Sequence, residues 1–145
     1  MAEYQYKLAD ETEDKKLDLE LVTNGAISLI RKPKYGVYYM AEVVEEDGSR
    51  KPVGTTMTSF EMQPRLGGLI HMIQSVYVEK EYRKKGVFRA LYETVIENAK
   101  KDPMTKGVRL YVEHNNETAM AVYEKLGMGK MDSWNFDEKD FIFQH

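Results

Sequence analysis

At 145 residues the chain is long enough to close one core around a ligand cleft and too short for two ordinary domains, so residues 1–145 are expected to form a single domain. Its 42% hydrophobic and 31% charged residues exclude disordered and fibrous classes, and no apolar run approaches the ~18 residues of a membrane span. A net charge of −3, from 21 basic and 24 acidic side chains, argues against a general nucleic-acid binder, whose affinity rests on neutralising phosphates. The absence of cysteine removes disulfides, thiolate nucleophiles and thiolate metal sites. The start, Met1-Ala2-Glu3-Tyr4, soon turns acidic and does not look like a targeting peptide, so a cytoplasmic location is expected.

In chain order, Tyr4 to Leu8 alternates and predicts a short strand. Asp10 to Ile30 reads as helix, interrupted at Asn24-Gly25. Tyr35 to Val44 and Pro52 to Met62 have strand composition and flank the turn Glu46-Asp47-Gly48-Ser49, which makes a hairpin. A second turn, Pro64 to Gly68, leads to a strand from Leu69 to Val78. The period then changes from two to 3.6: Phe88, Leu91, Tyr92, Val95, Ile96 and Ala99 stripe a helix over about 84–101, which Asp102-Pro103 stops. Val108 to Glu113 alternates as a strand. Ala119, Val122, Tyr123 and Leu126 mark a helix ended by Gly127, and Lys130 to Phe143 reads as one or two short strands. The order is that of an α/β domain on a mixed sheet.

The segment Arg83-Lys84-Lys85-Gly86-Val87-Phe88-Arg89 joins a strand to a helix, which is a ready anion site. First-turn N–H groups lack partners, the helix dipole favours negative charge, and Gly86 lets a ligand approach the backbone. Arg83 offers a planar fork for phosphate oxygens and the lysines add charge. A solvated basic run at a helix end fits the composition equally well. No P-loop or G-x-G-x-x-G pattern is present.

Residues 74–91, from Gln74 through Val76-Tyr77-Val78 to Leu91, resemble motif A of the GNAT superfamily of acetyltransferases, a strand followed by [RQ]-x-x-G-x-[GA] at a helix start. Asn116 to Met128 resembles the family's motif B, N-x-x-A-x-x-x-Y-x-x-x-G-[FM]. The resemblance implies a mixed, mainly antiparallel sheet flanked by helices and splayed at a cleft for acetyl-CoA. It implies that the backbone of Val76, Tyr77 and Val78 pairs with the pantetheine arm. The N–H groups from Arg83 to Arg89 would cradle the pyrophosphate, and Asn116 would hold the pantetheine or order the far side of the gap. Tyr123 would protonate the departing thiolate, a role general acid catalysis makes sensible, and N–H groups near Val76 would meet the charge on the carbonyl oxygen. Without motif B, Tyr123 reads as one member of a core stripe.

Two positions depart from the family pattern. Phe88 stands where glycine or alanine is usual and is expected to point into the core. Gln74 stands where some relatives carry a glutamate base, so it would orient water or substrate. Glu61, His71 and Glu113 are then candidate bases, directly or through water. A His71–Ser75 nucleophilic pair fails, since four residues of strand span ~13 Å. His71, His114 and His145 lack metal-ligand spacing, so no metal is expected. The expected activity is acetyl transfer from acetyl-CoA to the amine of a small molecule or peptide, with neither nucleic acid nor membrane as partner and a homodimer through a sheet edge left open. The alternatives are a non-catalytic acyl-CoA sensor with the same fold, or an interaction domain without cofactor.

Overall fold

The structure is a computed structural model that describes residues 3, 4, 7 and 18–131. The chain divides into two compact units, residues 1–111 and 112–145. In the first, helix α1 (Leu19–Arg31) precedes strands β1 (Gly36–Val44), β2 (Arg50–Gln63) and β3 (Gly68–Val78), then helix α2 (Val87–Lys101) and strand β4 (Thr105–Leu110). The second contains helix α3 (Glu117–Lys125). The four strands form one sheet in the order β1-β2-β3-β4. The first three are antiparallel and β4 runs parallel to β3, so the sheet is mixed and mainly antiparallel, as expected.

Asp18 caps α1, its Oδ1 accepting from the N–H groups of Glu20 at 2.9 Å and Leu21 at 3.2 Å. The helix runs through Asn24-Gly25 rather than breaking there. Gly25 costs about 1 kcal/mol against alanine, but Val22, Ala26 and Leu29 hold one seam at four- and three-residue spacing, and Ala26 is buried. The hairpin turn forms where the sequence puts it, with Asp47 Oδ1 accepting from Ser49 N–H at 2.8 Å.

At the described positions of the predicted first strand, Tyr4 and Lys7, no strand is observed. Glu3, Tyr4 and Lys7 are helical, and helical spacing lets Lys7 reach Glu3 four residues back at 3.1 Å. Tyr4 stacks on Tyr77 with ring centroids 5.2 Å apart and donates its hydroxyl to the Pro52 carbonyl at 2.9 Å. These long-range contacts, with the Lys7–Glu79 pair at 2.8 Å, outweigh the local alternation. Residues 8–17 and 132–145, which carry the start of the predicted early helix and most of the predicted C-terminal strands, lie outside the described residues.

Residues paired across strands share a sheet face, which sorts the sheet into two sides. On one lie Thr58, Phe60, His71 and Ile73, and on the other Tyr38, Met57, Ser59, Glu61, Ile70, Met72, Gln74 and Arg109. Helix α2 covers the first side: Val87 lies against Gly54, and Leu91, Val95 and Ala99 form a buried seam at four-residue spacing. Burial of each larger member of that seam contributes about 1.5–3 kcal/mol. Leu91→Ala should therefore destabilise the fold by about 2–5 kcal/mol, read as a lower urea midpoint with an unchanged slope.

Candidate active site

β4 begins at Thr105, three residues before the predicted start, and ends at Leu110 instead of Glu113. The early start follows from Leu69 N–H donating to the Met104 carbonyl at 2.8 Å. The early end has its cause in β3. Parallel pairing stops at Ile73↔Leu110, yet β3 continues to Val78 along β2. Between Tyr77 and Gln74 the β2 partner advances two residues while β3 advances three, so β3 carries a bulge at Ser75-Val76. Ser75 adopts φ 54°, a left-handed conformation costing a non-glycine residue about 1–2 kcal/mol. Thr56 holds it there, donating its hydroxyl to the Gln74 carbonyl at 3.0 Å. A bulge bends its strand. Among the described residues no strand pairs with Gln74 to Val78 on the β4 side, so this stretch of β3 has an open edge.

The open stretch of β3 leads through a short 3₁₀ turn, Lys80–Tyr82, into the loop before α2. Lys84 has φ 60° and Gly86, the N-cap of α2, has φ 83°. Left-handed residues this close together curl the backbone so that its N–H groups face one concavity. A Cβ built on Gly86 meets no atom within 4 Å, so this side of the loop is open. The N–H groups of Val87, Phe88 and Arg89 belong to the first helical turn, which has no preceding carbonyls to pair with. Lys84, Lys85 and Arg89 are exposed around it.

Arg83 makes a contact that its sequence expectation did not include. Its Nε donates to the Val78 carbonyl at 2.9 Å and its guanidinium lies 5.7 Å from the centre of the Tyr77 ring. Tyr77 itself is buried, while Val76 and Val78 are half-buried. Phe88 does not enter the core as expected. It stays half-buried against Tyr92, 6.2 Å away, because Leu91 occupies the buried seam.

Gln74 and the candidate bases separate by face. Gln74 is exposed and its Nε2 donates to Ser59 Oγ at 2.6 Å. Glu61 shares that face but is engaged by Arg109 at 3.8 Å and by the side-chain amide of Gln63. His71, three residues from Gln74, lies on the opposite face at 6% exposure, against Phe60 at 4.8 Å. Its Nε2 lies 3.0 Å from Thr105 Oγ1, and the Thr105 hydroxyl lies 3.4 Å from Asp102. Sequence reading missed Ser59, Thr56 and Arg109, which become visible only through strand register. No signal in the sequence marks the left-handed Ser75.

In the second unit, motif B has a plain geometric basis. Asn116 is the N-cap of α3, its Oδ1 accepting from Ala119 N–H at 3.1 Å. At the other end Met128 N–H donates to the Tyr123 carbonyl at 3.1 Å and Gly127 N–H to the Glu124 carbonyl at 3.0 Å, with Gly127 at φ 89°. That is a Schellman stop, and it fixes the backbone of Tyr123. The Tyr123 phenol is half-buried, and burial raises its pKa, keeping its proton on. Glu113 is exposed.

Over residues 3–128 the sequence matches the acetyltransferase (GNAT) family. The chain belongs to the GNAT acetyltransferase family. The structure of a possible acetyltransferase from Clostridium difficile 630 is 38% identical, with a TM-score of 0.84 over 98% of this chain and 90% of that one. Glucosamine-6-phosphate N-acetyltransferase from Arabidopsis thaliana is 21% identical, with a TM-score of 0.67 over 92% of this GNAT chain and 86% of its own. Ribosomal-protein-alanine N-acetyltransferase from Brucella melitensis biovar Abortus 2308 is 18% identical, with a TM-score of 0.69 over 94% and 92%. These last two share the fold alone. No curated protein matches the sequence. Among the described residues no helix of this GNAT protein is long and apolar enough to cross a membrane.

Burial holds the His71 pKa below its usual value, with Asp102 acting weakly in the other direction. The folded state therefore binds fewer protons than the unfolded chain just below pH ~6.5. The His71 contribution is complete above that pH and is lost as pH falls through the depressed folded value. The urea midpoint should drop from pH 7.5 to pH 5, and His71→Gln should flatten that drop.

Proposed function

We propose that the protein transfers the acetyl group of acetyl-CoA to an amine in a ternary complex. The observation that carries this reading is the open edge of β3 from Gln74 to Val78, running directly into the Gly86-capped start of α2. An unpaired strand edge suits the amide groups of a pantetheine arm, and a first helical turn with open space beside it suits a pyrophosphate. The family match over residues 3–128 spans parts of both units, which supports treating them as one catalytic domain.

The edge through Val76, Tyr77 and Val78 offers its backbone groups to the pantetheine, apart from the Val78 carbonyl that Arg83 holds. Arg83, Lys84, Lys85, Gly86, Val87, Phe88 and Arg89 form the phosphate loop, in which Arg83 acts by holding the end of β3. Acetyl-CoA supplies an acyl group activated as a thioester. Asn116 and Tyr123 take their roles from motif B: Asn116 starts α3 and contacts the donor, and the neutral phenol of Tyr123 gives its proton to the leaving sulfur. Gln74 orients the acceptor by hydrogen bonding.

A non-catalytic acyl-CoA-binding module is the second reading, favoured by an amide at position 74 where a carboxylate could have served as base. It differs by binding acetyl-CoA without releasing free thiol to any amine. Tyr123→Phe should lower kcat about 10²-fold and leave the calorimetric affinity for coenzyme A unchanged; unaltered kcat at saturating acceptor removes Tyr123 as the acid. Gly86→Val should weaken coenzyme A binding, since a branched side chain at φ 83° fills the open side of the loop. Wild-type affinity in that variant would place the phosphate site elsewhere.

A further inference from the structure

We infer that Ser59 is a positioning residue for Gln74 and that the pair selects a weakly basic amine, in its neutral form, as the acetyl acceptor. The inference rests on the acetyl-transfer reading above.

Ser59 and Gln74 lie on neighbouring strands and on the same sheet face, beside the end of the β3–β4 pairing. Gln74 Nε2 donates to Ser59 Oγ at 2.6 Å, and the main-chain carbonyl of Gln74 accepts from Thr56 at 3.0 Å. Both the backbone and the side chain of residue 74 are therefore held from β2. With one of its two amide N–H groups donated to Ser59, the Gln74 side chain is fixed and its Oε1, an acceptor only, is held in place. An acceptor-only oxygen receives an N–H from an amine and fixes where its nitrogen stands. It cannot take the proton away.

Among the described residues, strand register puts Arg109 in the same row as Ser59, where its charge is met by Glu61 at 3.8 Å. Tyr38, Met57 and Gln74 form one row across three strands, with Ser59 in the next. The next carboxylate along this face of β2, Glu61, is drawn toward Arg109 and Gln63. His71 lies on the other face, beneath α2. An ammonium brought against an amide and a hydroxyl gives up water without gaining a counter-charge, whereas a neutral amine needs only the N–H···O bond. The nitrogen lone pair then attacks the thioester carbon. A C–N bond forms as the C–S bond breaks, the surplus proton on nitrogen passes to water, and the sulfur takes one proton to leave as thiol.

Solution chemistry sets the preference. At pH 7 an α-amine with a pKa near 8 supplies about 230 times more neutral species than a lysine-type amine near 10.4. Its lower nucleophilicity offsets part of this, leaving a preference of about tenfold or more.

The test uses the full chain with saturating acetyl-CoA, reading thiol release from pH 6 to 10. The acceptors are the α-amine of a tripeptide and the side-chain amine of a lysine blocked at both ends. The expected result is faster turnover of the α-amine at pH 7. For each acceptor kcat/KM should rise with unit slope to a break at that acceptor's own pKa, so the two breaks differ. Ser59→Ala should raise the KM for acceptor about tenfold without changing that for acetyl-CoA, Ser59→Thr should restore it, and Ser59→Ala should add nothing to Gln74→Ala. A single break shared by both acceptors, a preference for the lysine side chain, or an unchanged acceptor KM in Ser59→Ala overturns this inference and leaves acetyl transfer standing. No thiol from either acceptor, while acetyl-CoA still raises Tm, removes the acetyl-transfer reading and this inference with it.

Discussion

Everything distinctive about the sheet depends on one extra residue in β3. Three strands pair antiparallel and a fourth joins in parallel, and then at Ser75-Val76 the third strand bulges and its far edge loses a neighbour. The conformation is costly for serine, and it is held by a hydroxyl from the adjacent strand rather than by any local preference. Strain of this kind persists only when its surroundings impose it. Here the surroundings are a buried layer of Thr55, Thr56 and Thr58 on β2, whose side chains are almost wholly excluded from solvent. The threonine hydroxyls of Thr55 and Thr56 satisfy backbone carbonyls on the two flanking strands, so β2 serves as the strut from which both neighbours are braced.

The fold class was legible because its signals are periodic. The stripe from Phe88 to Ala99 and the alternation from Leu69 to Val78 each survive as an element with nearly the expected limits. What failed was decided at long range. Tyr4 is helical because of contacts with Tyr77 and Pro52, more than forty residues away, which no local pattern encodes. The alternation Val108 to Glu113 continues past Leu110, but a strand lasts only as long as its partner does, and the bulge in β3 ends the partnership.

The candidate site divides the same way. Gly86 was readable because a glycine between a strand and a helix has few other uses, and its left-handed conformation is found. The chemistry of Arg83 was not readable, since a guanidinium has five donors and sequence cannot say which of them is spent inside the protein. The separation of His71 from Gln74 follows from the sequence once the strand Leu69 to Val78 is granted. They are three positions apart, and an odd spacing on a strand sends them to opposite faces.

That bond from Arg83 to the end of β3 bears on solubility as well as on binding. A strand edge left without a neighbour is a template on which any extended peptide can add itself, and exposed edges are a common route to aggregation. On the open side of β3 the last carbonyl is already taken by the Arg83 side chain, which closes the ladder with a cation. A small ligand with few amide groups can still use the residues before it. A longer polypeptide seeking to extend the sheet past Val78 meets a positive charge and an occupied acceptor. The arginine thus caps the last carbonyl of that edge.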